Sequence, residues 1–386
     1  SLSNRDAVIV AAVRSPVGRR KGSLATVHPA DLSAHVLNAL VATAGLDPVE
    51  VEDVIWGCVE QVGAQSNNIA RTAVLAAGWP ESVAGTTVHR QCGSSQQSVH
   101  FAAAGLIAGQ YDVVVAGGVE MMTQLPIGAA LGEGLGDPNS YAVKQRYGVE
   151  GFNQGLGAEM MAQRWGFTRE RLDEFALSSH EKAAAATRSG AFADEIAPIT
   201  LPDGTVFSTD EGVRIGGTLD SLGKLKTPFA EDGVITAGNA SQISDGAAGL
   251  LMTTSEAADR LGLTPLARVS TAVIAADDPV IMLTAPMPAT RKALARAGLS
   301  IGDIGAFEVN EAFAPVPLAW LQEVGADEKA LNPNGGAIAL GHPMGASGAR
   351  LMTTLVHHMH QNEIRFGLQT MCEGGGMANA TIVELI

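Results

Sequence analysis

The chain has 386 residues, and 40 Asp plus Glu against 25 Lys plus Arg leave a net charge of −15. A protein that lives on phosphate backbones needs a dominant basic surface, so a nucleic-acid scaffold is excluded and any anionic ligand must be held by local patches. A hydrophobic content of 46% excludes disorder, while 45 glycines and 17% charged residues, against usual shares of ~7% and ~25%, describe an interior-rich α/β enzyme with much of its surface covered by another subunit.

Three cysteines, Cys58, Cys92 and Cys372, are too few and too scattered for a disulfide framework or a four-ligand zinc site, which points to a reducing cytoplasm and no metal. No apolar run approaches the roughly 20 residues that span a bilayer, so no membrane partner is expected. The opening SLSNRDAVIV lacks the basic-then-apolar grammar of a signal peptide, and a first residue Ser1 is compatible with a trimmed presequence.

The continuous apolar run Ala7 to Val13 predicts a strand, and Ser15-Pro16-Val17-Gly18 a turn. Leu32, Val36, Leu37 and Leu40 predict a helix over Asp31 to Ala44 that Gly45 closes. Asp53 to Gly57 and Val113 to Gly117 read as buried strands; between them Val99, Ala102, Ala103 and Leu106 mark a helix with Cys92 at its mouth. The middle, Val119 to Asn239, mixes Gly-rich, Pro-containing and charged stretches with a helix pair, Ala158 to Trp165 and Arg169 to Arg188, and reads as a lid or binding loop. The far end then repeats the beginning. Ala39 to Leu46 followed by Val51 to Gly57 is echoed by Ala293 to Leu299 followed by Ile301 to Phe307, and each copy leads to a Gly-rich turn that opens a helix. Order and spacing both recur, which favours a duplication whose equivalent loops face one shared site.

Cys92 is the strongest nucleophile candidate, since helix N-terminal amides favour a thiolate and Gly93 allows a substrate carbonyl to approach. Taken alone, a small buried core cysteine is an equal reading. Cys372 precedes Gly374-Gly375-Gly376, a run that is costly unless the backbone must turn tightly or offer its amides. Cys58 reads as core. His342, between Gly341 and Pro343, can point into a cleft, and Asn310 ends a strand as a polar site group or caps the next helix. No Lys-Ser or Lys-Thr follows the Gly-rich loop and no G-x-G-x-x-G follows the first strand, so neither nucleotide motif is present. His357, His358 and His360 point apart on a helix rather than forming a metal cluster, His89 and His100 are local structure around Cys92, and Arg19, Arg20 and Lys21 are a solvated loop.

Cys92-Gly-Ser-Ser, Val234 to Ser241 with Ser244 to Ala248, Asn310-Glu-Ala-Phe313, Gly341-His-Pro343 with Gly345 to Gly348, and Cys372 to Gly376 stand in an order that resembles the thiolase family from the first strand to Glu384. The resemblance implies an α/β fold of two duplicated βαβαβ-type halves in α/β/α/β/α layers. Residues 1–118 with 240–262 would form the N-terminal half, 119–239 an inserted CoA-binding loop domain, and 263–386 the C-terminal half. It implies Cys92 as acyl-accepting nucleophile, Cys372 as acid/base cysteine, and His342 as activator of Cys92. His342 with a water on Asn310 would form one oxyanion site, and the amides of Cys92 and Gly374 the other. Arg214, Ser221 and Ser241 match CoA-contacting positions, and Leu177, Met282 and Phe313 pocket-lining ones. Substrates would be 3-ketoacyl-CoA, acetyl-CoA and CoA, with no tightly bound cofactor, in a homodimer or homotetramer. Asn153-Gln154 stands where short-chain members often carry His-Met, and His89-Arg-Gln-Cys-Gly-Ser-Ser-Gln-Gln97 is similar to actinobacterial thiolases of lipid and steroid side-chain degradation. Degradative thiolysis is therefore the first reading and acetoacetyl-CoA synthesis the second. A decarboxylating condensing enzyme of the same fold needs no second cysteine at Cys372, and a non-catalytic acyl-CoA-binding protein would lack turnover with CoA.

Overall fold

The computed structural model describes residues 2–386. The chain begins with β1 (Ala7–Arg14), buried at every position because it runs inside a covered sheet, then β2 (Gly18–Arg19) and helix α1 (Pro29–Ala44). Pro29 suits the first turn of α1, where no N–H is needed, and Gly45 ends it at φ 66°. Next come β3 (Asp53–Gly57), α2 (Ile69–Ala76), the edge strand β4 (Ala84–Val88), α3 (Ser94–Ala108) and β5 (Val113–Met121). β5 outruns the expected end at Gly117 because Gly118 to Met121 continue to pair with a later strand.

The middle segment carries α4 (Tyr141–Tyr147), α5 (Gln154–Trp165), α6 (Arg169–Ser189), the small ribbon β6 (Ile199–Thr200) and β7 (Val206–Phe207), and α7 (Leu219–Gly223). α5 starts four residues before the expected Ala158, since the Asn153 side chain accepts the Leu156 N–H at 3.0 Å and caps it. The chain returns through β8 (Ser244–Thr254), α8 (Ser255–Leu261) and β9 (Ala267–Ala276). It ends with α9 (Pro286–Ala297), β10 (Ala306–Val309), α10 (Pro315–Val324), α11 (Ala337–Leu340), α12 (Met344–Gln361), β11 (Phe366–Glu373) and β12 (Met377–Leu385).

The strand order β10-β11-β12-β9-β1-β8-β5-β3-β4 contains the same unit twice. β3 and β5 pair in parallel, then β8 and β1 follow antiparallel; β10 and β11 pair in parallel, then β12 and β9 follow antiparallel. The counterpart of β4 has shrunk to one parallel bridge, Phe307 to Leu331. The two half-sheets touch edge to edge only at Val8 with Arg268 and Ile9 with Ala267. α1 and α2 cover one outer face, α9 and α10 the other, and α3 and α12 lie between the sheets, giving five layers α/β/α/β/α. No helix among the described residues is long and apolar enough to cross a membrane.

The N-termini of α3 and α12 meet at a junction of glycines. A methyl on Gly118 would overlap the Gly345 carbonyl oxygen, one on Gly57 would press on the Ser95 amide, and one on Gly348 would overlap the Gln96 amide. Beside them Glu120 is buried, with Oε1 accepting from the amides of Val59 and Gly345 at 2.9 Å each and Oε2 from Glu60 N–H at 3.1 Å and Gln65 Nε2 at 2.8 Å. An anion is well placed at a helix N-terminus, so Glu120 staples the start of α12 to the loop after β3.

The middle segment is tied to both halves. Arg14 of β1, fully buried, donates to Glu195 at 2.8 Å and to both carboxylate oxygens of Asp210 at 2.7 and 2.9 Å. Ser179 of α6 donates to Glu311 at 2.6 Å, and Thr354 of α12 donates to Glu195 at 2.7 Å. Buried pairs of this kind are screened by salt much less than exposed ones, so they tie the segment to both halves across the cleft.

Candidate active site

Cys92 sits one residue before Gly93, the N-cap of α3. A tight turn puts it there: Gln91 holds a left-handed φ of 49°, and Ser94 Oγ donates to Gln91 O at 2.5 Å while accepting the Arg90 N–H at 2.9 Å. Such strain at a turn is retained where a side chain must be aimed. The residue is partly exposed, and it packs against Val59, Met122 and Met344. Cys372 is buried near the end of β11, and the glycines after it make the β11–β12 turn, with φ of 86° at Gly375 and 79° at Gly376. Gly374 faces Gln91, where an added methyl would lie 3.2 Å from its side chain. The triple glycine thus lets one loop lie flat against the nucleophile turn.

His342 comes from the turn between α11 and α12, where Gly341 has a φ of 99° and has no room for a side chain beside Ser244 Oγ. Its N–H reaches Gln242 O and Ser244 Oγ at 3.1 Å each, its Nδ1 meets Ser347 Oγ at 2.5 Å, and its Nε2 is 3.5 Å from Asn310 Nδ2. Asn310 follows β10, donates its N–H to Thr370 O at 3.1 Å and has a buried Oδ1 with no partner. It does not cap the next helix, because Ala314 is the N-cap of α10. No hydrogen bond joins Cys92 to His342 or Cys372 among the described residues; their proximity runs through Met344, two residues from His342, and through the charge that Cys92 exerts on Cys372.

The positions matched to CoA separate into groups. Leu177 and Arg214 line one cleft of about 180 Å³ with His180, Arg188 and Gly217. Ser221 spends its hydroxyl in the capping box of α7, donating to Thr218 O at 2.9 Å. Ser241 donates its N–H to Ala312 O at 2.9 Å, next to the bridge between Ala240 and Phe313. Phe313 meets Phe229 edge-on with ring centroids 6.2 Å apart, and Phe229 packs on Gly155 of α5. Met282, left-handed at φ 69°, borders Gly157 of the same helix. Elsewhere His357 bonds Ala12 O at 2.8 Å, His358 meets Asn362 at 3.2 Å, and His100 bonds Thr381 at 2.6 Å. The sequence reading passed over Glu120, Ser347 and Glu373, although the last two lie inside quoted motifs; only spatial neighbours mark them as site groups.

Two family models match the chain: the thiolase N-terminal domain over residues 7–256 and the thiolase C-terminal domain over 263–385. The chain belongs to the thiolase family. This thiolase is similar to the steroid 3-ketoacyl-CoA thiolase of Mycobacterium tuberculosis, at 48% identity with 98% of this chain and 94% of that protein covered. It is also similar to the acetyl-CoA acetyltransferase of Paracoccus denitrificans, at 43% identity with 98% and 99% covered. The crystal structure of the Bacillus anthracis acetyl-CoA acetyltransferase superposes on it with a TM-score of 0.91 at 39% identity, covering both chains completely. Thiolases are acyltransferases that act on CoA thioesters, and this chain is one of them.

Electrostatics in this thiolase differ from the helix-dipole expectation. Burial, with the nearby carboxylates of Glu373 and Glu120, pushes the Cys92 thiol up to about 12, and the opposing backbone hydrogen bond is the smaller effect. Burial and then the charge of Arg350 bring His342 down to about 4, so its imidazole rests neutral, with a lone pair that is a weaker base than a free histidine's. The resting pair is therefore a thiol beside a neutral base.

The same shifts set stability against pH. His342 and His100, held near 4 and 3 against 6.5 unfolded, refuse protons that the unfolded chain binds, so stability falls as pH drops below 6.5. Glu308 and Glu373, held at about 8 against 4.5 unfolded, keep protons that the unfolded chain releases, so stability falls as pH rises from 4.5 to 8. The pairs oppose each other between 4.5 and 6.5; above that the glutamates act, joined toward pH 9 by the buried thiols, which stay protonated where the unfolded thiols ionise. Urea denaturation is expected to give a stability at about pH 6 exceeding that at about pH 8.5 by at least ~2 kcal/mol; equal midpoints and slopes at the two pH values would contradict it.

Proposed function

We propose that this thiolase degrades 3-ketoacyl-CoA, using CoA to release acetyl-CoA and a shortened acyl-CoA through an acyl-Cys92 intermediate. What supports the reading is a Cys92 thiol whose charge bears on a second thiol at Cys372, with Met344 of the loop that carries the neutral His342 packed against Cys92. Ser347 Oγ lies 3.0 Å from Pro343 O; donating there, it accepts Nδ1–H and makes Nε2, which faces the Asn310 amide at 3.5 Å, the acceptor nitrogen of His342 that would take the Cys92 proton. The Cys92 sulfur attacks the ketone carbon, the C2–C3 bond breaks, and Cys372 gives its proton to the acetyl-CoA enolate that leaves. CoA then attacks acyl-Cys92 while Cys372 thiolate takes the CoA thiol proton. Protonated His342, with a water on Asn310, faces the thioester oxygen; the amides of Cys92 and Gly374 face the ketone oxygen.

In this reading the inserted segment, residues 119–239, carries CoA, with Arg188 and Arg214 supplying cationic groups for its phosphates in a chain of net charge −15. Ser241, Met282 and Phe313 lie toward the acyl end, and Ser221 contributes through α7. The exposed edge β4, with Phe101 and Tyr111 lining an apolar groove along it, supports a homodimer or homotetramer, and three free thiols suit a reducing cytoplasm.

Asn153 and Gln154, opening α5 beside Phe229, support an acyl pocket tolerant of longer or branched chains, in keeping with the similarity to a steroid 3-ketoacyl-CoA thiolase. The test is loss of the 3-ketoacyl-CoA enolate absorbance at alkaline pH on adding CoA, across substrates from four carbons to steroid side chains. Loss that requires CoA and is faster for long or branched substrates is expected. Absence of turnover makes the chain a binding protein, and preference for acetoacetyl-CoA over every longer substrate makes acetoacetyl-CoA chemistry its role.

A further inference from the structure

Beneath the nucleophile turn lies a carboxyl that the thiolysis scheme does not use. Glu373 ends β11, directly after Cys372, and is fully buried. Its Oε2 accepts the Asn379 N–H at 3.2 Å, and its Oε1 has no partner. A methyl on Gly93 would overlap both Glu373 Oε2 and Asn379 Oδ1, so the two side chains press together against the N-cap of α3. Asn379 Oδ1 has no donor either, and the bond from Nδ2 of the same amide to Gln97 Oε1 at 2.8 Å turns that oxygen toward Glu373. Two acceptor groups facing each other in a dry site repel, and a proton between them turns repulsion into a hydrogen bond.

We propose that Glu373 is held as a neutral carboxylic acid whose O–H donates to Asn379 Oδ1, and that loss of this proton restrains the ionisation of Cys92. The proposal rests on Cys92 being the nucleophile; Glu373 acts through that thiol and is a positioning residue. Three titratable or charged groups face it: Arg90 from the turn before α3, Cys92 across Gly93, and Cys372 from its own strand. Arg90 favours the carboxylate but forms no ion pair with it, its Nη1 lying 3.6 Å from Met377 Sδ. Burial outweighs Arg90 and pushes the acid up to about 8. Once charged, Glu373 raises both thiols. Below that pH the thiolate forms beside a neutral neighbour; above it, beside a like charge.

The measurement is the rate of Cys92 alkylation by iodoacetamide, read by mass spectrometry without any substrate from about pH 6 to about pH 10, which keeps it independent of whether thiolysis occurs. Ordinary thiol alkylation rises about ten-fold per pH unit below the thiol pKa. In the wild type this rise is expected to flatten between about pH 7.5 and about pH 9 and then resume. Glu373→Gln, neutral at every pH, is expected to match the wild type within about two-fold near pH 6.5 and to alkylate roughly ten-fold faster near pH 9. An unbroken rise in the wild type overturns the proposal even if the variant does not fold. A Glu373→Gln ratio that is the same at both pH values also overturns it, and assigns the site the reversed amide network in which Asn379 Nδ2 donates to a permanent carboxylate.

Discussion

Cys92→Ala is expected to form no acyl-enzyme and to show no thiolysis, whereas Cys372→Ala should keep an alkylatable Cys92 and lose roughly 10² to 10⁴ in rate. The two thiols differ by their settings. Cys92 is partly exposed at the entrance to α3, where a carbonyl can reach it, whereas Cys372 is buried at the end of β11, a setting that suits proton transfer rather than first attack. Removing the first removes the bond-forming atom, and removing the second leaves acylation chemistry without its acid. His342→Ala should slow alkylation and turnover together, since its neutral imidazole is the base for a thiol held at about 12. Iodoacetamide labelling beside steady-state thiolysis separates the three. If Cys372→Ala turns over within a few-fold of wild type, or His342→Ala alkylates at the wild-type rate, the assignment of roles fails.

Arg14→Met is expected to cost about 3–5 kcal/mol of stability, because it removes the cation that Glu195 and Asp210 bond directly and leaves them only the unbonded charge of Arg350. Both carboxylates are almost inaccessible to solvent, and Asp210 also receives the Val17 N–H at 2.8 Å, so neither can turn outward to water. Adding Glu195→Gln and Asp210→Asn to Arg14→Met should recover part of the loss, because the orphaned charges go with it. Urea denaturation at neutral pH measures both. A single variant within about 1 kcal/mol of wild type would show that this network does not hold the inserted segment.

The motif loops were legible because their glycines have no other use. Gly341 and Gly374 to Gly376 stand where a side chain would collide or the backbone turns left-handed, and the residues beside them are the polar site groups. The duplication was legible through α1 to β3 and α9 to β10, whose apolar spacing repeats. The antiparallel strands β8, β9 and β12 were not, since their pairing partners lie far off in sequence, as with Ala7 and Thr254. Polar burial was also hidden. Ser94 to Ser98 of α3 are all polar yet buried, with Gln96 reaching Thr381 at 2.8 Å and Ser95 accepting the Ala349 N–H at 2.8 Å across the junction. What bears on Cys92 was hidden for a related reason: desolvation, and the charges of Glu373 and Glu120 once they ionise, come from elsewhere in the chain and outweigh its local backbone hydrogen bond.

The glycine junction between α3 and α12 bears on how such a protein could have arisen. Each central helix begins against backbone atoms of the other half, and the polar start of α3 finds its hydrogen-bond partners on α12, β11 and β12. A single half, standing alone, would expose those glutamines and serines on an unpaired helix and would own only one of the two thiols. An ancestor of that size could have worked only as two copies facing each other, with the same helix meeting its twin, and joining the copies into one chain then let the two equivalent turns diverge, one toward Cys92 and the other toward His342.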